Sequence, residues 1–295
     1  MRRALLGLIF ILSTLGATAQ TPDSLKRNDN RKLFRHLTLG AGVYTASLIG
    51  LNQVWYSEDR SSFHWFDDLP EWKQMDKAGH AFSAFHLGRL GYEYLGTYDI
   101  SERKRRFWGS LSGALLLSPI ELLDGFQPEY GASASDLVAN LTGSALLWGQ
   151  LSLWNEIRIK PKFSYRASPY AELRPNTLGS TWNERLLKDY NAQTYWLSFD
   201  IHAFLPSGNA FPKWLNLALG YGADGMVYAR DSQNEAHGHR AYRQYYLALD
   251  WDLSHIKTRR KGIKALLFVL DAIHLPAPGL GLDERGNFSF HALYP

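Results

Sequence analysis

The feature that most constrains this chain is a change of hydrophobic period near Ile159. Before it, uncharged runs such as Leu37–Trp55 and Leu137–Trp154 are long enough for helices, and in the first of them Gly42, Ala46 and Gly50 recur every four residues. Small residues at that spacing let a second helix approach closely. After it, apolar and polar residues alternate, as in YWLSFDIHAFL (Tyr195 to Leu205), LNLALGYGADGMVYA (Leu215 to Ala229), YYLALDWDLSHI (Tyr245 to Ile256) and NFSFHALY (Asn287 to Tyr294). A period of two is the signature of strands. The expected fold class is therefore α+β, a bundle of about four apolar helices followed by an antiparallel region, either a curved sheet or a partial barrel.

The expected division is a signal peptide over 1–19, a polar lead-in over 20–36, a helical domain over 37–159 and a β region over 160–295 with one amphipathic helix. The leader has a basic head (Arg2, Arg3), an apolar run and the small-residue ending Ala17-Thr18-Ala19, which predicts export. Removing it lowers the formal net charge of +4 by two, so a nucleic-acid partner has little to hold it. No cysteine is present, which excludes disulfides, a thiol nucleophile and a thioether acceptor for a lipoprotein anchor. Aromatic residues, 14% of the chain and often beside apolar runs, suit a membrane interface.

Leu37–Trp55, nineteen residues, and Leu137–Trp154 come close to the roughly 20 residues that cross a bilayer, so membrane spans are one expectation for them. A third apolar stretch, Phe107 to Ile120, is expected to end where Pro119 and Gly125 break it. KFSYRASPYAEL (Lys162 to Leu173) reads as a weaker strand, and RRKGIKALLFVLDAIHL as an amphipathic surface helix. GYGADG (Gly220 to Gly225) precedes no phosphate-binding helix and reads as a bend or bulge. His237 and His239 fall in a polar loop and read as solvated. The strands, with their aromatic-rich apolar face, resemble those of outer-membrane barrels, and a curved sheet packed on helices or docked on a membrane is the other reading.

The chemistry-bearing residues lie in the helical half. Asp76 and His80, four apart, share one helix face, with Lys77 beside them. Glu121 and Asp124 end the third helix, and Asp136 and Asn140 begin the fourth. If these helices run up, down and up, all three pairs fall at one end of the bundle, where Glu129 and Tyr130 would cover them. A desolvated group of carboxylates with one imidazole and one amine is a functional-site pattern. Taken singly, Asp76 and Asp136 are also ordinary first-turn helix acids, and Asn140 an ordinary interhelical hydrogen-bonding residue.

DKAGHAFSAFHLG (Asp76 to Gly88), ELLDGF and SASDLVANLTGSALLWG (Ser133 to Gly149) resemble the YfiM-like family of predicted envelope proteins of unknown function, and are similar to VanZ-like membrane proteins. The resemblance covers Trp72 to Trp154 and implies site residues Asp76, Lys77, His80, Glu121, Asp124, Asp136, Asn140 and Gly143. It brings no established reaction or cofactor.

The expected function is that of an exported, membrane-associated envelope protein whose polar cluster binds a ligand, a lipid headgroup or an envelope partner. An outer-membrane protein is the expected partner if the role is assembly. The alternative is a membrane-embedded hydrolase or transferase acting on a lipid-linked substrate. There His80 would be the general base, Asp76 its orienting partner, and Glu121 with Asp136 an acid or divalent-metal pair. No Gly-x-Ser-x-Gly elbow, phosphate loop or His-Glu-x-x-His helix accompanies it.

Overall fold

The computed structural model describes residues 29–55, 61–128 and 131–294. The leader and Glu129 and Tyr130 lie outside the described residues. The chain is α+β, with a six-stranded antiparallel sheet that is open. The long helices are α1 (Asp29–Trp55), α2 (Met75–Leu95), α3 (Glu102–Asp124) and α4 (Ala134–Leu153). The strands are β1 (Ile159–Tyr165), β2 (Gln193–Phe199), β3 (Leu215–Asp224), β4 (Tyr242–Trp251), β5 (Ala277–Asp283) and β6 (Phe288–Tyr294), with the helix α5 (Lys261–Leu270) between β4 and β5. Contacts divide the chain into two compact units. One holds the described residues up to Asp67, Ser83–Ser152 and Arg260–Ala265; the other holds Asp68–Phe82, Leu153–Arg259 and the rest from Leu266.

In the helical unit, α2 and α3 are antiparallel and lie backbone against backbone. A Cβ at Gly113 would come within 1.8 Å of the Ala84 carbonyl oxygen, and one at Gly88 within 2.6 Å of the Ser110 carbonyl oxygen. The α3–α4 pair is antiparallel too, with the Ser144 hydroxyl accepting from the Ala114 amide at 3.0 Å. Tyr44 of α1 donates to the Leu116 carbonyl. Pro119 does not end α3: it lies inside the helix, which continues to Asp124 before Gly125 caps it. The polar lead-in is likewise shorter than expected, because helix begins at Asp29.

No described helix is long and apolar enough to cross a membrane, which corrects the expectation of spans at Leu37–Trp55 and Leu137–Trp154. Hydroxyls and amides interrupt both runs. Thr38 and Ser47 donate to the carbonyls of Phe34 and Val43, and α4 buries Asp136, Asn140, Ser144 and Gln150.

In the other unit the sheet order is β1-β2-β3-β4-β5-β6, each strand pairing with the next. The alternation of Tyr195 to Leu205 is strand only as far as Phe199: Asp200 then accepts from the Ala203 amide and caps a helical turn, Ile201–Phe204. GYGADG is no bulge either, because β3 pairs in unbroken register with β2 and β4. Gly220 is required for another reason: a Cβ there would stand 2.7 Å from the Trp196 ring. β5 (APGLGLD) escaped the reading, since its two glycines and one proline hide the alternation.

One face of this sheet is polar and buried. Lys162 Nζ lies 2.6 Å from Asp250, and Lys160 Nζ 2.7 Å from Asp252 and 3.2 Å from Asp271, with both lysine and all three aspartate side chains almost wholly buried. Burial alone would raise the Asp252 carboxyl, but Lys160 and Ser254 outweigh it and hold the group at about 2. His274 stacks on Trp196 with centroids 3.9 Å apart and donates from Nε2 to the Leu249 carbonyl at 3.2 Å.

Burial, first, and Lys162, against the opposing pull of Asp250, hold the His274 imidazole down at about 4, below its usual 6.5. The unfolded chain takes up this proton near pH 6.5 and the folded chain only near pH 4. Stability should therefore fall as the pH is lowered through that window, by up to about 3 kcal/mol below pH 4. Urea unfolding at pH 7, 5.5 and 4.5 checks this, and His274→Gln should flatten the slope; an unchanged slope in the variant would assign it elsewhere.

Candidate functional site

The helical unit brings two of the predicted acids together. Glu121, in the last turn of α3, and Asp136, in the first turn of α4, are 4% and 5% exposed, and their carboxylate oxygens lie within 4.8 Å of each other. Local sequence explains the placement. Ser133 accepts from the Asp136 amide at 3.0 Å, as an N-cap hydroxyl does, and this starts α4 with Asp136 turned into the unit. Asn140, one turn on, is fully buried, and Asp124 is half-buried.

The segment 61–66 closes the same end. Its His64 amide donates to the Gly125 carbonyl at 2.9 Å, the Phe66 amide donates to the Ala132 carbonyl at 3.0 Å, and the Ala132 amide donates to the His64 carbonyl at 3.0 Å. Phe63 packs edge-on against Phe126 and Trp65. A Cβ at Gly125 would meet the Phe63 ring at 2.4 Å, so that glycine is needed for the closure. A desolvated carboxylate pair is stabilised by a shared proton or by a cation.

In the sheet unit, Lys77 bridges Asp68 and Asp76, with Nζ at 2.6 and 2.8 Å from their carboxylates. Burial raises the Asp76 carboxyl, Lys77 draws it back, and the nearby Asp68 raises it again. Both hydrogen bonds of the Asp76 carboxylate go to Lys77, one to the ammonium and one to the backbone amide, so the expected Asp76–His80 partnership is not what holds Asp76. His80 stands half-buried one turn along the same helix. Between them Gly79 lies on Tyr195: a Cβ at that glycine would be 2.8 Å from the phenol oxygen. Burial, and then Asp76, push the Tyr195 hydroxyl far above its usual value.

The approach to α2 is strained. Trp72, Lys73 and Gln74 all have left-handed backbone angles, with φ of 49, 52 and 62°. Each costs of order 1–2 kcal/mol for a residue with a side chain. The sheet holds them in place: the Trp72 amide donates to Ala229 at 2.7 Å, Tyr221 donates to the Lys73 carbonyl, Arg243 donates to Gln74 at 2.7 Å, and Lys73 pairs with Asp231 at 2.7 Å. Three such residues immediately before Asp76 mark a segment whose shape is over-determined from outside.

Residues 63–150 match a family model described as a predicted periplasmic lipoprotein, DUF2279. The matched segment holds Asp68, Asp76, Glu121, Asp124 and Asp136 as well as Lys77 and His80. No curated protein and no solved structure is detectably similar to the chain. Export to the cell envelope, expected from the leader, agrees with the family's description.

Sequence reasoning missed Asp68, Tyr195 and the Lys160/Lys162 network. Asp68 sits in an irregular acidic stretch with no period to place it. The network did leave a trace, because Lys160 and Lys162, like Asp250 and Asp252, are two apart and so share a strand face. His237 is engaged rather than simply solvated: it stacks on Tyr228 with centroids 4.2 Å apart and bonds the Gln233 carbonyl.

Proposed function

We propose that this exported envelope protein binds a cationic group, a divalent metal ion or the amine of a ligand or lipid headgroup, through the Glu121–Asp136 pair. Asn140 and Asp124 complete that end of the helical unit; in the sheet unit, Asp76, Lys77 and His80 at the start of α2 are a second, separate set of ligand-contacting residues. The observation that carries the reading is the pair itself, two carboxylates almost wholly removed from water with oxygens within 4.8 Å. The match to a periplasmic family over 63–150, and the resemblance of the same residues to YfiM-like and VanZ-like proteins, support an envelope setting. The membrane-embedded hydrolase is the weaker reading, because Lys77 occupies the Asp76 carboxylate that would have oriented His80.

Thermal unfolding with Mn²⁺, Zn²⁺, Mg²⁺ or phosphoethanolamine tests this. At a hundredfold excess over Kd, a ligand specific for the folded state adds about 2.7 kcal/mol, which raises Tm by several degrees. The rise should vanish in Glu121→Gln and in Asp136→Asn. If no cation shifts Tm, or if both variants keep the shift, the pair is a packing feature and the proposal fails.

A further inference from the structure

The sheet is inverted relative to an ordinary water-soluble one, with charges inside and leucines outside. Register makes the outer face explicit. Leu197, Leu219, Leu247, Leu280 and Phe290 are successive cross-strand partners, forming one apolar row across five strands. Phe199, Leu217 and Leu249 form a second row, and Tyr195, Tyr221, Tyr245, Leu282 and Phe288 a third. The opposite face at the same levels holds Ser198, Ala218 and Ala248, or Trp196, Gly220, Tyr246 and Gly281, over the Lys162–Asp250 ion pair.

Part of the third row is covered within this unit. Phe82 packs on Phe163 and Tyr195, and the buried cluster of Met75, Ala223 and Met226 packs on Tyr195 and Tyr221. The leucine row is not covered: Leu219 is 50% exposed, Leu280 53% and Phe290 69%. Such a contiguous band is far more than scattered surface leucines and needs an apolar neighbour.

From this face we infer that the protein docks on a lipid bilayer through the outer surface of β2–β6, entering one leaflet without crossing. Three observations choose lipid as the occupant. Apolar-out, polar-in alternation is the pattern of strands that face hydrocarbon. Aromatic side chains flank the leucine rows along the strands, with Trp251 and its stacked neighbour Trp214 (centroids 5.5 Å apart) at one end and the exposed Tyr245 at the other, as at a membrane interface. The exposed cations Lys257 and Arg259 follow β4 in the same unit, where Leu266 and Val269 of α5 are exposed as well, and such cations beside apolar groups meet anionic headgroups.

Dimensions set the depth. Three rows two residues apart extend about 14 Å along the strands, whereas a spanning barrel presents a band of about 25 Å. The free edge of β6 would also leave backbone groups unpaired in hydrocarbon, at several kcal/mol each. Both limits place the face at the surface of one leaflet.

Flotation of the purified full chain on vesicles of phosphatidylethanolamine and phosphatidylglycerol (3:1), and on phosphatidylcholine alone, tests the inference against a Leu219→Asp, Leu247→Asp double variant. Both positions point outward, so circular dichroism should show the fold kept. A Leu280→Gln, Phe290→Gln variant on the neighbouring strands is an independent second probe. The natural chain should float on both vesicle types, and each variant should lose at least tenfold in partitioning at 1 M salt, where the basic residues contribute little. Equal flotation of natural and variant chains overturns the inference. So does a natural chain that ignores vesicles and forms a dimer in solution that the variants split, because the face would then be covered by a second copy.

Discussion

Replacing Lys162 by methionine is expected to destabilise the protein by about 3–5 kcal/mol and to lower Tm on the order of 10 °C. The reason is Asp250. Its side chain is wholly buried, it accepts from the Ser198 hydroxyl at 2.6 Å, and its countercharge is Lys162 at 2.6 Å. Without the ammonium, a carboxylate is left in a medium too poor in water to solvate it. The lysine also donates to the Trp251 carbonyl at 2.8 Å, a second bond lost.

The double variant Lys162→Met, Asp250→Asn should recover most of the loss, since the amide can still accept from Ser198 and carries no charge. Urea unfolding of the two single variants and the double one gives the coupling directly. If the double variant is as unstable as Lys162→Met alone, the ion pair is not what the sheet interior depends on.

The second large effect is expected at Gly113. Alanine there would place a carbon 1.8 Å from the Ala84 carbonyl oxygen and 2.7 Å from its carbon, both backbone atoms that cannot turn aside. The helices α2 and α3 must separate, at a cost at or above the top of the roughly 1–3 kcal/mol typical of overpacking. Gly149→Ala is the contrast: nothing lies within 4 Å of the new carbon, and helix propensity favours the change by about 0.5–1 kcal/mol. Melting followed at 222 nm should move the two variants in opposite directions. Equal behaviour would mean that the close approach of α2 and α3 does not carry the helical unit.

These two sites also separate what could be read in one dimension from what could not. Gly109 and Gly113 stand out in the sequence as a small-residue pair in an apolar run, yet which backbone atoms they admit, those of Tyr92 and Ala84, depends on the antiparallel pairing of α2 and α3. Pro119 misled because a helix end is a competition. A proline removes one hydrogen bond and crowds one carbonyl, and tertiary packing on both sides of α3 outweighs that loss. The nineteen uncharged residues of Leu37–Trp55 looked like a span because charge is the easiest signal to count, while the hydroxyls and amides that lower their hydropathy are individually small.

The candidate site divides in the same way. The placement of Glu121 at the end of α3 and of Asp136 at the start of α4 follows from the Gly125 break and from the helix-start signal at Ser133, both local and both legible. Asp68, eight residues ahead of Asp76 in a stretch without period, becomes a partner of Lys77 across the left-handed turn at Trp72 to Gln74, and residues from three distant segments enforce that turn.

By itself the sequence determined the α+β division near Ile159, the helices that carry the polar motifs and most of the strands, because periodicity and capping are properties of neighbours along the chain. Only the tertiary structure decided which carboxylates meet, which lysine neutralises which aspartate, and that the leucines of the sheet face outward. A period of two says that a strand has two unlike faces. Which of them is buried is settled by what the rest of the chain brings to each side.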